Sequence, residues 1–255
     1  MIADTESAKA RSVREMFASI AGHYDFLNHL LSGNVDRLWR RAFVREVEQR
    51  LAVPHPQILD IGCGTADLSL AFSRLGSVVG CDFCHPMLTL GKRKVAMARN
   101  PYQVRLLAAD ALSLPFPDSS FGVVVSAFVV RNLANLEKGL AEMRRVLGEG
   151  GLLGILDFSL PSAPVVGPLY RYYFTRILPK IGRLLSGVEG PYSYLPESVR
   201  SFPPPERLRQ LIAAAGFTQV ECHSLTGGIA VLFLGRRTVR EDSKKLEKPS
   251  TDFAP

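Results

Sequence analysis

The sequence predicts an α/β protein built on a Rossmann-like, seven-stranded, mostly parallel sheet with an antiparallel hairpin at its carboxyl end. Three observations predict it. From residue 58 to residue 158, apolar runs alternate with segments of helical spacing. The runs are nearly continuous in apolar character, as expected of strands covered on both faces. The first run enters a glycine turn, Gly62-Cys63-Gly64, and a helical segment follows at once, the strand, turn and helix of a ligand-binding unit.

In chain order, Val13, Met16, Phe17, Ile20, Tyr24, Leu27 and Leu31 recur at helical spacing, interrupted near Ala21-Gly22. A second helix is expected to start at Asp36 as N-cap, with Trp39, Phe43, Val44 and Val47 on one side and Arg37, Arg40, Arg41 and Arg45 around the other. These pieces, about residues 7–53, form a helical cap over a cleft. Strands follow at 58–61, 77–82, 103–108, 121–128 and 151–158, with helices at 66–75, 86–98 and 135–147 between them. Residues 161–200 break the alternation and are expected to be a helical insertion. Within it Leu169, Tyr173, Ile177 and Leu184 oppose Arg171, Arg176, Lys180 and Arg183. A helix at 204–215 and strands at 217–224 and 228–236 close the sheet. One domain over 1–236 and a basic, disordered tail over 237–255 complete the expected organisation.

In parallel sheets of this kind ligands bind beyond the carboxyl ends of the strands. Gly62, Gly64 and Thr65 follow the first strand, Asp82 ends the second, Asp110-Ala111 follow the third, and Ser126 to Asn132 close the fourth. In a dinucleotide fingerprint the third small residue would stand at Asp67, where a carboxylate repels a diphosphate and suits an amino-bearing ligand. Asp82 is placed to accept both hydroxyls of a ribose, and Asp110 beside a backbone N–H is placed to select adenine, although a turn cap explains it equally. A glycine turn and a ribose acid without a diphosphate cradle point to S-adenosylmethionine.

The chain has 255 residues and 31 Lys and Arg against 24 Asp and Glu, a net charge of +7. That balance fits an anionic membrane surface, RNA or a merely solvated surface. The N-terminus shows no secretory signal, so a cytoplasmic protein is expected. The longest apolar run, Phe121 to Val130, is too short to span a bilayer, which takes about 20 residues. Cys63, Cys81, Cys84 and Cys222 are too few and too irregular for a disulfide framework or a zinc site, and are read as buried, reduced and structural, with no metal.

Over residues 11–236 the chain resembles the quinone-biosynthetic C-methyltransferases, the family that methylates demethylmenaquinone and, in some bacteria, the ubiquinone precursor. The resemblance rests on Met16-Phe17 through Trp39-Arg40-Arg41, on Leu59-Asp60-Ile61-Gly62-Cys63-Gly64-Thr65-Ala66-Asp67-Leu68, on Arg131-Asn132, and on the stretch from Tyr192 to Arg200. It implies a class I S-adenosylmethionine-dependent methyltransferase fold with cofactor contacts at Thr65, Asp82, Asp110, Ala111 and Ser126. It also implies a reduced, polyprenylated naphthoquinol as acceptor, or a benzoquinol. Arg131 and Asn132 are then the candidate catalytic pair, and Tyr24, Tyr192 and Tyr194 the candidate substrate contacts. His23 is an alternative proton acceptor, although a surface histidine explains it better. Two departures stand out: Val129 replaces the family's usual glycine and is expected to narrow the floor of the site, and Gly148-Glu149-Gly150-Gly151 replaces its usual Lys-Pro-Gly-Gly turn.

A nucleic-acid amino-methyltransferase is disfavoured, because Ser126-Ala127-Phe128-Val129 stands where those enzymes carry an Asn/Asp-Pro-Pro-aromatic motif. A non-catalytic cofactor-binding module is the other rival. No nucleic-acid partner is expected. A polyprenyl acceptor implies peripheral contact with an anionic membrane, at the inner face of the cell membrane, through residues 165–185. Whether the chain forms a homo-oligomer is left open.

Overall fold

The computed structural model describes residues 2–23, 34–99, 103–161, 166–173, 176 and 191–238. Helix α1 (Ile2–Ile20) runs into a 3-10 turn at Ala21–His23. Helix α2 (Val35–Glu48) follows Asn34, which sits at φ 64 in the left-handed region. Asp36, expected as the N-cap, instead lies inside the first turn, where it is buried and paired with Arg40. The order then runs β1 (Gln57–Ile61), α3 (Asp67–Phe72), β2 (Ser77–Asp82), α4 (His85–Ala96), β3 (Val104–Ala108), β4 (Phe121–Ala127), α5 (Leu136–Val146) and β5 (Leu147–Phe158). Helices α6 (Val166–Tyr172), α7 (Pro191–Ser201) and α8 (Pro205–Ala214) precede β6 (Phe217–Leu225) and β7 (Ala230–Arg237). Half of the insertion expected over 161–200, including 177–190, and all of 239–255 lie outside the described residues.

The seven strands form one sheet in the order β3-β2-β1-β4-β5-β7-β6. Pairings among β1 to β5 are parallel, and β7 runs antiparallel to both neighbours. The order reverses between β1 and β4, and ligands bind at such a switch point. Alternate residues of β1 face opposite ways. Ile58 joins a core with Trp39, Phe43 and Phe72 under α2 and α3, while Leu59 and Ile61 join a second core with Leu140 and Met143 under α5. Asp60 therefore points into the α2 and α3 side, where Ser69 donates a hydrogen bond to its Oδ2 at 2.6 Å. Burial of β4 and β5 on both faces explains why their sequences lack alternation.

Candidate active site

The carboxyl edges of β1, β2, β3 and β4 open into one cavity of about 1090 Å³, its open mouth included. That is ample for a nucleoside-sized ligand. Ala10 and Phe17 of α1 close it from above, and Arg40 of α2 closes one side. The glycine turn forms the floor. Gly62 has φ +69, and a Cβ there would overlap the Val129 side chain. Val129 thus packs on the turn and lines the cavity. Gly64 has φ +53 and an added Cβ would meet nothing within 4 Å, so the backbone is bare toward the cavity.

Of the residues expected to contact the cofactor, Gly62, Gly64, Thr65, Asp82, Asp110 and Ala111 line this cavity. Asp82 is 8% exposed; its Oδ2 accepts the Gly64 N–H at 2.9 Å and its Oδ1 the Cys84 N–H at 2.8 Å. It ties the turn after β1 to the one after β2, and lone pairs remain for a diol. Burial raises its pKa above the ordinary value, against the hydrogen bonds of Cys84 and Gly64. Asp110 accepts the Leu112 N–H at 2.9 Å, so the turn-cap role and the place on the cavity wall coexist. Ser126 is not on the wall: its hydroxyl is buried and donates to the Ile61 carbonyl at 2.8 Å, bracing β4 against β1. Asp67, expected to suit an amino-bearing ligand, pairs with Lys94 at 2.6 Å, and Lys94 also donates to Thr65 Oγ1 at 3.1 Å.

The residue that sequence reasoning passed over is Asp60. It is 1% exposed and lines the cavity, and its Oδ1 has no hydrogen-bond partner. Burial pushes its pKa up to about 7 despite the Ser69 hydrogen bond. A buried acceptor without a donor is costly and suits an amino-bearing ligand. An acid inside the otherwise apolar run of β1 was the available signal. Arg40, expected on the outer side of its helix, is also at the wall, paired with Asp36 and stacked 5.6 Å from the centre of the Phe128 ring.

The acceptor side is arranged differently. Asn132 lines the cavity, and the Tyr194 hydroxyl donates to its Oδ1 at 3.1 Å. Arg131 is off the cavity wall. Its Nη1 donates to Asp157 Oδ1 at 2.6 Å, its guanidinium lies 5.1 Å from the Phe158 ring centre, and its buried Nε–H has no partner. Arg131, one of the two candidate catalytic residues, is therefore held in a buried ion pair behind the wall. Phe158 stacks on Phe128 with centroids 4.7 Å apart, and Phe128 holds φ 63, a strained value for a bulky residue. Tyr24 lies outside the described residues, and of Tyr192 only its place in α7 is described. Cys63, Cys81 and Cys84 are buried free thiols with pKa values raised chiefly by burial, whereas Cys222 is exposed, contrary to expectation.

The bare glycine turn, the acid tying it down and the open acceptor of Asp60 fit S-adenosylmethionine. Several solved structures share the fold. A SAM-dependent methyltransferase from Thermotoga maritima matches with TM-score 0.61 and 17% identity over 88% of this chain and 99% of that one. Another from Aquifex aeolicus matches with TM-score 0.55 and 18% identity over 75% and 88%. The cyclase SpnF matches with TM-score 0.65 and 16% identity over 91% and 97%, so the fold alone does not fix the reaction. This chain is a class I S-adenosylmethionine-dependent methyltransferase. The profile of the ubiE/COQ5 methyltransferase family matches residues 4–237, and the chain belongs to that family. Demethylmenaquinone methyltransferase of Thermus thermophilus is 48% identical over 87% of this chain and 100% of its own length. The enzyme of the same name from Deinococcus radiodurans is 45% identical over 89% and 93%. The ubiquinone/menaquinone biosynthesis C-methyltransferase UbiE of Geobacter sp. strain M21 is 40% identical over 91% and 98%.

Proposed function

We propose that the protein methylates the ring carbon of reduced demethylmenaquinol, giving menaquinol. The observation that carries this reading is the juxtaposition, at the end of β4, of a cofactor cavity with Asn132 on its wall and the buried Arg131 cation behind it. When bound, S-adenosylmethionine supplies a methyl group to a carbon nucleophile. The protein holds the two reactants in line and excludes water. A quinol carbon becomes nucleophilic as the neighbouring hydroxyl loses its proton. Arg131, held by Asp157 behind the wall, acts on that phenolate through its field and not by contact. Asn132, oriented by Tyr194, offers polar contact to the acceptor's oxygen. An arginine is too weak an acid to be the base, so the proton leaves through water. Gly62, Gly64, Thr65, Asp82, Asp110 and Ala111 hold the cofactor, and Asp60 takes its ammonium group.

Incubating the purified protein with methyl-labelled S-adenosylmethionine and a lipid extract containing reduced demethylmenaquinone tests the proposal. Label in menaquinone supports it. Label in a benzoquinone product instead would move the enzyme to the ubiquinone precursor.

The acceptor's polyprenyl tail favours a protein working from the cytoplasm at the inner face of the membrane. No helix among the described residues is long and apolar enough to cross a bilayer, and the contact proposed is a peripheral one. Co-sedimentation with anionic liposomes checks this, and equal recovery with neutral ones would argue against an electrostatic contact.

A further inference from the structure

We propose that Arg40 is the anchor for the α-carboxylate of the cofactor's amino-acid moiety, acting opposite Asp60. The inference rests on the cofactor, not on the identity of the methyl acceptor. Four carboxylates stand on the cavity wall, Asp60, Asp67, Asp82 and Asp110, and Arg40 is the only cation there among the described residues. Three of the acids meet groups that S-adenosylmethionine presents as donors or lie paired. Asp82 faces the diol, Asp110 the adenine side, and Asp67 is held by Lys94. That leaves Asp60 for the ammonium group. A ligand carboxylate entering beside Asp60 is repelled by every acid on the wall and attracted by one side chain.

The geometry of Arg40 fits an anion-binding role. It reaches the cavity from α2, and its field acts on Asp60, lowering the pKa that burial raises. Its Nη1 is fixed by Asp36, one turn earlier in α2, and its Cζ lies over the Phe128 ring, 5.6 Å from the centre. Among the described residues no other hydrogen bond engages the guanidinium. Its side chain is 14% exposed, so the charge is largely removed from bulk solvent and poorly screened. The result is a preorganised donor fork with unspent N–H groups, the arrangement that binds a carboxylate well. Asp60 and Arg40 together form a zwitterionic pair complementary to the zwitterion of an amino acid.

Titration calorimetry with three thioethers, none carrying the sulfonium charge, separates the contributions. S-adenosylhomocysteine carries both the carboxylate and the ammonium, its decarboxylated analogue carries only the ammonium, and methylthioadenosine carries neither. Arg40→Gln should weaken S-adenosylhomocysteine on the order of 10 to 100-fold, the worth of hydrogen bonds to a charged group. It should leave the other two unchanged. Asp60→Asn should weaken the first two and leave methylthioadenosine unchanged. Arg40→Lys, which keeps the charge and loses the fork, should fall between. Because Arg40→Gln strands Asp36, an Asp36→Asn/Arg40→Gln variant serves if the single one does not fold. Equal weakening of all three ligands, or of none, in a folded Arg40 variant would overturn the proposal.

Discussion

The two sides of the sheet's carboxyl edge use their polar groups in opposite ways. After β1, β2 and β3 the chain leaves room and an open acceptor facing a cavity: Asp60 Oδ1 has no partner and no side chain covers Gly64. After β4 and β5 the polar groups largely satisfy one another, Arg131 with Asp157 and Asn132 with Tyr194. The first side is a receptacle whose cost is recovered when ligand binds. The second is a braced wall, so changes there reach stability before they reach chemistry.

The largest effect that sharpens this contrast is expected at the brace. Arg131→Ala leaves Asp157, 1% exposed, as an uncompensated buried charge, and should cost about 3–5 kcal/mol in denaturant unfolding. A double Arg131→Met/Asp157→Leu variant should recover most of that while still losing methyl transfer. If Arg131→Ala is as stable as the parent, the brace is not a brace. On the receptacle side, Asp82→Ala removes the acceptor that joins Gly64 and Cys84. It should weaken S-adenosylhomocysteine roughly 10 to 150-fold, and unchanged calorimetric affinity in a folded variant would take Asp82 out of the site.

Asp60 provides a pH test with a definite sign. Its folded pKa, about 7 against an ordinary 3.8, means that the native protein retains a proton that the unfolded chain releases between those values. Its contribution to stability is therefore full below about pH 4 and is lost as pH rises through about 7, by up to roughly 4 kcal/mol. Asp60→Asn should remove that slope from the ligand-free protein. The same variant should flatten the rise in cofactor affinity across pH 7 that binding an ammonium group to the ionised form requires. Identical stability profiles for parent and variant between pH 4 and 8 would contradict the assignment.

The smallest expected effect tests the floor of the cavity. Gly62→Ala places a methyl group against Val129 at φ +69 and should cost roughly 1–3 kcal/mol. Val129→Gly in the same chain should restore the part due to overlap and leave the part due to the backbone.

Much of this was legible in the sequence, for physical reasons that differ by region. The strands were visible because each is a short apolar run between turn residues, and the cofactor loops because glycine and acid recur at strand ends. Helix α3 spans Asp67–Phe72: it starts one residue later than the spacing implied, because Ala66 turns left-handed at φ 70, and it ends three residues earlier. Arg40 was placed on the outer side because its charge outweighs its position, whereas the pairing with Asp36 four residues earlier draws it inward. The bond between Arg131 and Asp157 was not legible at all. It depends on β4 lying beside β5 in a register that pairs Ala127 with Leu156, and neighbouring strands in a parallel sheet leave no mark in the local sequence. Ser126 was misplaced for the same reason, since its partner Ile61 lies across a strand pairing.

The most direct test of the account is an anaerobic comparison of methyl transfer to the reduced and the oxidised form of one short-chain demethylmenaquinone. The account predicts transfer of label to the ring carbon of the quinol alone, since only its phenolate makes that carbon a nucleophile beside Arg131. Equal transfer to the quinone, or none to either form while S-adenosylmethionine binds tightly, would contradict it.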